Sequence, residues 1–452
     1  MAFTWLQLSD LHATDRFTVG RVCDDLVNLC STLPNYLEEF GRVSGVDYSR
    51  FGKLDCLFFT GDLVQSGGEN QFSFVSGFLK SLVARTDLKA ERVFVVPGNH
   101  DVDRALGVRG LGFQLGGPPS KDTPGQVASR MLDHQEARAL LTKRFSAYDT
   151  LASEFPNAFT ASGETCRHTI LEIDGHSIAV LSINTAWLCK SDDRTGSLIA
   201  GHEALRAQLI TVHAQNPDFV LLLMHHAPVW LIADERIEFQ RSLQDALGVD
   251  AVLCGHDHRL SPRKLVDAQG EAIYLKGGAL FQKTEVSSRC TIGYCDPATG
   301  RIEIFPLTYS HTGDKKWTFD RGAFPSWSGG VARFQSKRSK SFKIHNSAEA
   351  FKDDLFVGQV MRRNRDFTDR VTVCLFADAK QHILDQIDRI VYSCSGGKYA
   401  NWRWISRCRH LKFSQSFQEC PDAKVTAQVF FLDGSSFIRD IVNIADTPLK
   451  MK

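Results

Sequence analysis

Short apolar runs that stop at metal-binding types of residue recur along the first 260 residues, and this pattern constrains the fold more than any other feature of the chain. The run "VFVV" at 93–96 is followed by "PGNHD", which presents Asn99, His100 and Asp101 in succession. Short apolar runs that alternate with helical patterns are typical of parallel strands buried on both faces. Four other runs end in the same way, and they present Asp10 and His12 ("SDLH"), Asp62 ("TGDL"), His225 and His226 ("HHAP"), and His256 and His258 ("GHDH").

The carboxyl ends of parallel strands meet at one edge of a sheet, so we expect these side chains to converge in one pocket. Gly61, Gly98 and Gly255 stand beside them and allow the sharp turns that such a pocket needs. Carboxylates, imidazoles and one amide, with no thiolate, suit Mn²⁺, Fe²⁺, Zn²⁺ or Ni²⁺. Because there are more ligands than one ion needs, Asp62 could bridge two ions about 3.5–4 Å apart. The sequence therefore predicts a site for two divalent metal ions.

Composition places the chain among globular proteins and narrows its surroundings. At 452 residues, 43% hydrophobic and 23% charged, it is expected to form two or three domains. The net charge of +1 does not favour nucleic acid or a membrane, and no apolar run has the length of roughly 20 residues that spans a bilayer. The 12 cysteines are scattered without a CxxC pair, and the first residues do not resemble a signal peptide. We therefore expect reduced thiols and a cytoplasmic location.

The patterning divides the chain into three parts. Residues 1–310 alternate strands and helices, 311–366 are basic and Ser-rich and are predicted to form a linker, and 367–452 are predicted to be a β module. A hairpin is expected in this module, with its turn at Asp433-Gly434.

Within the first part, residues 102–130 interrupt the alternation with a Gly- and Pro-rich stretch. This loop follows the third strand, so we expect it at the rim of the site. A helix over about 132–153 is predicted to return the chain to the core.

The motifs DLH, GD, GNHD, HHAP and GHDH occur in order over roughly residues 3–308, and in this the chain resembles the calcineurin-like metallophosphoesterase superfamily. The resemblance implies an α/β fold in which two β-sheets are flanked by helices (α/β/β/α). It also implies that His100 is the catalytic histidine and that Asp101 orients it. The implied ligands of one metal ion are Asp10, His12, Asp62 and His258, and those of the other are Asp62, Asn99, His225 and His256, with His226 as the alternative to His225.

The activity implied is hydrolysis of a phosphate ester, with a phosphodiester favoured. A metal-bridging hydroxide would attack phosphorus, the ions would neutralise the developing charge, and His100 would serve the leaving oxygen. Nucleotides, small diesters, nucleic acids and phosphoproteins all fit this chemistry. A nuclease is favoured slightly by a group of basic residues, although a solvated linker is the commoner explanation of such a group. These residues are Lys337, Arg338, Lys340, Arg362, Arg363 and Arg365.

The last part of the chain resembles prokaryotic relatives of YEATS-type domains over about 367–446, through "ILDQIDRIVYSC", "FSQSF" and "KVTAQVFFLDGSSF". This resemblance implies a small immunoglobulin-like β-sandwich that recognises a protein partner or regulates the site. Trp402, Trp404 and Phe413 are aromatic candidates for such recognition, although these residue types more often lie in a core. A second hypothesis is therefore a partner-binding sensor or effector scaffold.

Overall fold

The computed structural model of the chain describes residues 3–14, 16–32, 53–103, 106, 139, 141–161, 164–189, 194–244, 248–267, 270–281, 287–312, 315–336 and, beyond them, the strands between 356 and 444. Two compact units are present, the first comprising 1–212 and 217–342 and the second comprising 343–452 with 213–216.

The first unit contains strands, five described helices and short 3₁₀ turns at 90–92, 228–230 and 328–330. The strands are β1 (Phe3–Leu8), β2 (Cys56–Phe59), β3 (Val93–Val95), β4 (Cys166–Ile173), β5 (His176–Ile183), β6 (Phe219–Leu223), β7 (Ala251–Cys254), β8 (Ser261–Asp267), β9 (Gly270–Lys276), β10 (Ser287–Asp296), β11 (Arg301–Ser310), β12 (Trp317–Phe319) and β13 (Ala332–Gln335). The helices are α1 (Arg16–Ser31), α2 (Glu69–Thr86), α3 (Ser146–Ala152), α4 (His202–His213) and α5 (Ala233–Gln244).

These strands form two mixed sheets. The first has the order β12-β11-β10-β1-β2-β3, with β13 also paired to β11, and the second has the order β4-β5-β6-β7-β9-β8. The pairs β1–β2 and β2–β3 are parallel in the first sheet, as are β5–β6, β6–β7 and β7–β9 in the second. The parallel strands predicted from the apolar runs are therefore present, and antiparallel strands complete both sheets.

Alternate residues of each central strand face different cores. In β1, Phe3 and Trp5 belong to a cluster that also contains Val180 and Leu221 of the second sheet, so this cluster lies between the sheets. The intervening residue Leu6 belongs to a larger cluster with helical residues. This arrangement confirms the predicted α/β fold with two sheets flanked by helices.

Within 343–452, the described part of the second unit consists of strands. Its sheets have the orders β18-β15-β14-β21 and β17-β16-β19-β20. Their bounds are β14 (Phe356–Arg363), β15 (Val371–Asp378), β16 (Ile387–Ser395), β17 (Arg403–Ser406), β18 (Gln415–Gln418), β19 (Lys424–Phe431), β20 (Ser436–Asp440) and β21 (Val442–Ile444). The strands β19 and β20 pair antiparallel, as the predicted hairpin requires, and the turn at 433–434 lies outside the described residues. The all-β character agrees with the sequence, while the immunoglobulin-like and YEATS-like assignments stay predictions.

The segment 311–366 differs from the predicted linker. Within it, β12 and β13 pair with β11 of the first unit, and β14 pairs with β15 and β21 of the second. Trp317 and Phe334 are buried in the short strands β12 and β13. Three- and four-residue strands carry too few alternating positions to stand out in a basic, Ser-rich stretch. The division between the units therefore falls near residue 342 and not at 310.

Two other predictions concern residues that the structure describes only in part. Most of the rim loop over 102–130, and the predicted helix before 141 except residue 139, lie outside the described residues. The end of the predicted helix over about 132–153 is present as α3. None of the helices in the described part of the chain combines the length and the hydropathy needed to span a lipid bilayer.

Candidate metal centre

The chain segments that follow β1 and β2 are joined by backbone hydrogen bonds. The N–H of Asp10 donates to the carbonyl of Gly61 at 3.0 Å, and the N–H of His12 donates to the carbonyl of Asp62 at 3.0 Å. This pairing extends the parallel register of the two strands past their ends and brings their polar side chains to one edge of the sheet. The remaining candidates follow β3, β6 and β7.

A first group comprises Asp10, His12, Asp62 and His258, whose ligand atoms all lie within 4.8 Å of one another. Nε2 of His12 lies 3.0 Å from Nε2 of His258. Nε2 of His258 lies 3.4 Å from Oδ1 of Asp10. Two carboxylates and two imidazoles at this spacing form a donor set that fits a divalent ion.

A second group comprises His225, His226 and His256, again with ligand atoms within 4.8 Å of one another. Nε2 of His225 lies 3.2 Å from Nδ1 of His256 and 3.2 Å from Oδ1 of Asn99. It also lies 3.2 Å from Oδ2 of Asp62. Nε2 of His225 therefore stands close to one nitrogen and two oxygen atoms that could bind the same ion.

The two groups meet at Asp62. Its Oδ2 atom lies 3.2 Å from Nε2 of His225 and 3.9 Å from Nε2 of His12, so one oxygen faces both groups. Its Oδ1 atom accepts the backbone N–H of His100 at 2.8 Å, which fixes the plane of the carboxylate. This position is the one that a carboxylate bridging two ions requires.

The backbone is unusual at these positions. Among the described non-glycine residues, nine have φ in the left-handed region, and five of them belong to the two groups. These five are Asp10 (53°), His12 (46°), Asp62 (54°), His256 (70°) and His258 (55°). Such conformations cost free energy and cluster at functional sites, where the surrounding structure holds them. Gly98 adds a close approach, because a Cβ there would collide with the carboxylate and backbone of Asp62.

Both histidines of the doublet point into the site, each with a different support. Nδ1 of His225 lies 2.7 Å from the carbonyl of Thr60, so this nitrogen carries the proton and Nε2 is left to bind an ion. The ring and the backbone N–H of His226 both contact Oγ1 of Thr185, at 2.9 and 3.0 Å. Nε2 of His226 then lies 3.2 Å from Oδ1 of Asn99.

The protonation states follow from burial and from mutual charge. Burial alone would raise the pKa of Asp62, but His225 and the neighbouring histidines hold it well below its usual range. Burial and the nearby His225 lower the pKa of His256 to about 4 and that of His226 well below its usual range. Burial alone would lower the pKa of His225, but the charge and the hydrogen bond of the neighbouring Asp62 carboxylate act in the opposite direction and raise the pKa of His225 to about 9. An ion bound at Nε2 of His225 would therefore displace a proton.

His100 and Asp101 lie beside the groups, and each has its own hydrogen-bond partners. Nδ1 of His100 donates to the carbonyl of Gln65 at 2.7 Å. The buried carboxylate of Asp101 instead accepts the backbone N–H groups of Gly98 and Val64, at 2.8 and 3.0 Å. Among the described contacts none joins the Asp101 carboxyl to the His100 ring, and the orientation of that ring by Asp101 stays a prediction. The turn after β3 folds the carboxylate back onto its own backbone, where Asp101 holds the loop that carries His100.

The structure thus brings together every residue predicted for the site. Sequence reasoning missed the supports of the histidines, namely the carbonyls of Thr60 and Gln65 and the hydroxyl of Thr185. Backbone carbonyls carry no side-chain signal, so only the fold could identify the first two. It also missed Trp230, whose ring centroid lies 4.2 Å from that of His256.

The chain is similar in sequence to two curated proteins. The chain is 25% identical over 268 residues to the "Uncharacterized metallophosphoesterase-like protein YydB" of Bacillus subtilis (strain 168), covering 57% of this chain and 49% of that protein. It is 32% identical over 123 residues to "Tartrate-resistant acid phosphatase type 5" of Rattus norvegicus, covering 24% of this chain and 37% of that protein. The chain therefore spans half or less of the length of these curated relatives.

Among solved structures, the chain is similar to Vps29 of Chaetomium thermophilum, with a TM-score of 0.30 and 11% identity over 74% of this chain and 100% of that chain. It is also similar to a conserved uncharacterized protein of Streptococcus pneumoniae TIGR4, described as a predicted phosphoesterase, with a TM-score of 0.26 and 12% identity over 74% of this chain and 98% of that chain.

A family model described as "Calcineurin-like phosphoesterase" matches residues 3–260, which include every residue of the two groups. The match covers more than half of the 452 residues. The chain belongs to the calcineurin-like phosphoesterase family.

Proposed function

We propose that the chain hydrolyses a phosphate ester with two divalent ions held between the two sheets' strand ends. Asp10, His12, Asp62 and His258 would hold the first ion. The second would be held by Asp62, Asn99, His225 and His256. The observation that carries this proposal is the position of Oδ2 of Asp62, which faces His225 at 3.2 Å and His12 at 3.9 Å.

Divalent ions in such a site lower the pKa of a bound water and neutralise charge on phosphoryl oxygens. The chain's own residues determine which ions fit. Imidazole nitrogens together with carboxylate and amide oxygens, without a thiolate, favour Mn²⁺, Fe²⁺, Zn²⁺ or Ni²⁺.

His100 would handle the proton of the leaving oxygen. Its Nδ1 donates to the Gln65 carbonyl, so Nε2 is the nitrogen that can exchange a proton with a substrate. The His100 ring is only half-buried, and its centroid lies 4.6 Å from that of His12. A substrate bound at the first group would therefore lie within reach of His100.

Membership of the family supports a phosphate ester as the class of substrate. Activity assays on several esters are needed to identify which ester it is. The two curated relatives are named as a metallophosphoesterase-like protein and an acid phosphatase, and both names support phosphoester chemistry. The preference for a phosphodiester, a nucleotide or a nucleic acid stays a prediction. A role of the second unit in recognition or regulation, through a protein partner, and a cytoplasmic location also stay predictions.

The two alternative functions have less support. The side chains of the basic group expected to favour a nuclease all lie outside the described residues. A scaffold that only binds partners has no use for two buried donor sets meeting at one carboxylate, because burying such charges and polar groups costs free energy unless they are paired.

The test is a metal-loaded activity panel on the full chain. Protein stripped with a chelator is reloaded separately with Mn²⁺, Fe²⁺, Zn²⁺ and Ni²⁺, and elemental analysis should find about two ions per chain, as a bridging carboxylate requires. Each form is assayed on a chromogenic diester, a chromogenic monoester, cyclic nucleotides, and single- and double-stranded DNA. A chain that takes up two ions and hydrolyses none of these esters contradicts the proposal.

The histidine doublet provides a sharper test of the second site. Because Nε2 of His225 faces Asp62, Asn99 and His256, His225→Asn should remove one bound ion. His226→Asn should keep both ions. Among the described contacts, the His225 ring contacts Asp62, whereas the His226 ring contacts Asn99 and not Asp62. The opposite outcome would assign the ligand to His226.

A further inference from the structure

A partly buried tryptophan packs against one of the proposed ligands. The centroid of the Trp230 ring lies 4.2 Å from that of His256, with the two planes 89° apart. The same indole lies 6.1 Å from the ring of His226. Trp230 follows the doublet by four residues, in the 3₁₀ turn at 228–230. It therefore packs beside two of the three histidines of the second group.

The Trp230 ring is itself held in place. Its Nε1–H donates to Oδ1 of Asp257 at 3.3 Å, and its backbone carbonyl accepts the N–H of Leu198 at 3.0 Å. The other carboxylate oxygen of Asp257 pairs with Nζ of Lys276. Asp257 stands between His256 and His258 in the "GHDH" motif, and its carboxylate contacts Trp230 and Lys276.

The sheet fixes the far end of this chain of contacts. Lys276 is the last residue of β9, and it stands in register with Cys254, the last residue of β7. Asp257 follows Cys254 by three residues. The Lys276–Asp257 pair therefore joins two neighbouring parallel strands at the edge where the donors converge.

We propose that Lys276, Asp257 and Trp230 form a positioning chain that fixes the His256 ring and so sets the affinity of the second metal site. This inference rests on the proposed function, because it concerns one of the two ions. Groups that orient a metal-binding histidine raise metal affinity by holding its ring in the binding geometry. Here the orientation comes from an aromatic contact whose own angle is fixed by an ion pair.

The test compares two lysine variants of the full chain. Lys276→Met removes the partner of Asp257. Lys264→Met removes a lysine of β8 in the same sheet, whose partner is Glu271 of β9. The two ion pairs are matched in exposure, with side chains 23% and 25% exposed in the first and 29% and 24% in the second. Both variants lose one positive charge, so a general change in cation attraction affects both.

Mn²⁺ binding to the chelator-stripped proteins is followed by calorimetry and by the electron paramagnetic resonance of free Mn²⁺. His256→Asn and His12→Asn identify which binding step belongs to which site. Lys276→Met should weaken the step that His256→Asn removes by about 10–100-fold and leave the other step unchanged, as expected for loss of an orienting group. Lys264→Met should leave both steps as in wild type.

Trp230→Phe keeps the aromatic body and removes the N–H that reaches Asp257, so it should weaken the same step. Unchanged binding in both Lys276→Met and Trp230→Phe would overturn the inference while leaving the two-ion site intact. Equal weakening of both steps, with a lower thermal midpoint of the metal-free Lys276→Met protein than of Lys264→Met, would also overturn it, because the chain would then only support the fold. Wild-type protein that binds no Mn²⁺, Fe²⁺, Zn²⁺ or Ni²⁺ would overturn the proposed function itself.

Discussion

Oδ2 of Asp62 lies 3.2 Å from Nε2 of His225, although the two residues are more than 160 positions apart and follow strands of different sheets. The other oxygen of the same carboxylate accepts the N–H of His100 at 2.8 Å. One carboxylate thus connects the end of β2 with the loop after β3 and the end of β6. We expect the position of Asp62 to decide whether the proposed centre holds two ions or only one.

Asp62→Asn should therefore lose most of both metal ions and nearly all activity. An amide can bind through one oxygen only, and it lacks the charge that two neighbouring ions share. Elemental analysis of the purified variant measures the loss. Asp174→Asn is a suitable control, because Asp174 also has a left-handed φ of 49° but lies in the exposed turn between β4 and β5. Full metal content in the Asp62 variant would exclude the bridging role.

His100→Asn should keep both ions and lose turnover. His100 donates its backbone N–H to Asp62, and that hydrogen bond remains in the variant. Loss of general acid help typically lowers kcat by about 10²–10⁴-fold. Steady-state rates and metal content are measured on the same preparation. A rate within a few-fold of wild type would remove His100 from the mechanism.

Asp101→Ala should lower stability through the backbone. The carboxylate accepts the N–H groups of Gly98 and Val64, and each buried donor left without an acceptor costs about 1–3 kcal/mol. Chemical denaturation measures this loss. The His100 ring keeps its hydrogen bond to the Gln65 carbonyl, so the pH dependence of kcat should keep its shape. A stable Asp101→Ala protein with an altered pH profile would instead support a direct effect of Asp101 on the His100 ring, as predicted from the sequence.

A chain ending at residue 342 should fold and hydrolyse a small chromogenic ester, whereas one ending at 310 should be markedly less stable. The shorter chain lacks β12 and β13, which pair with β11, and it lacks the Trp317 side chain that donates to the Val22 carbonyl at 3.0 Å. Loss of buried Trp317 and Phe334 alone removes about 3–6 kcal/mol of apolar burial. Thermal unfolding of the two purified chains compares them. Equal midpoints would place the boundary at 310.

Glu235 offers a pH test of stability away from the site. Its Oε1 atom accepts the N–H groups of Ala200, Gly201 and His202 at the start of α4. Burial raises the pKa of Glu235 against the opposing effect of these hydrogen bonds. The native state therefore keeps its proton at a pH where the unfolded chain, with a Glu pKa of about 4.3, has lost it. This contribution to stability is present at low pH and is lost as pH rises through the raised pKa.

Glu235→Gln keeps an acceptor oxygen and has no proton to lose. Its free energy of unfolding, relative to that of wild type, should therefore increase as pH rises from about 4 to 7. Glu235→Ala leaves three N–H groups without their acceptor and should be destabilised at every pH, by about 1–3 kcal/mol for each group that finds no water. Denaturation curves at several pH values compare the three proteins. A Glu235→Gln curve that runs parallel to wild type would show that the carboxyl does not titrate differently on folding.

The sequence predicts best those parts of the fold in which a short run of apolar residues marks a strand. The apolar runs before Asp10, Asp62, Asn99 and His256 mark their strands to within a few residues, since a buried strand followed by a polar turn leaves little ambiguity. The doublet at 225–226 stays ambiguous because both residues follow the same strand, and only contacts from another sheet separate them. The orientation of Asp101 depends on where its own backbone folds, and that information lies in tertiary structure.

The left-handed backbone of Asp10, His12, Asp62, His256 and His258 has a consequence for how this chain can change over evolutionary time. Non-glycine residues held in such conformations cost on the order of 1 kcal/mol or more each. Together they approach the lower end of the net stability of a whole domain, about 5 kcal/mol. Glycine at these positions would relieve the strain and abolish the donors. Drift under selection for folding alone would therefore erode the centre first, and the sheets around it would become more stable as the chemistry disappeared.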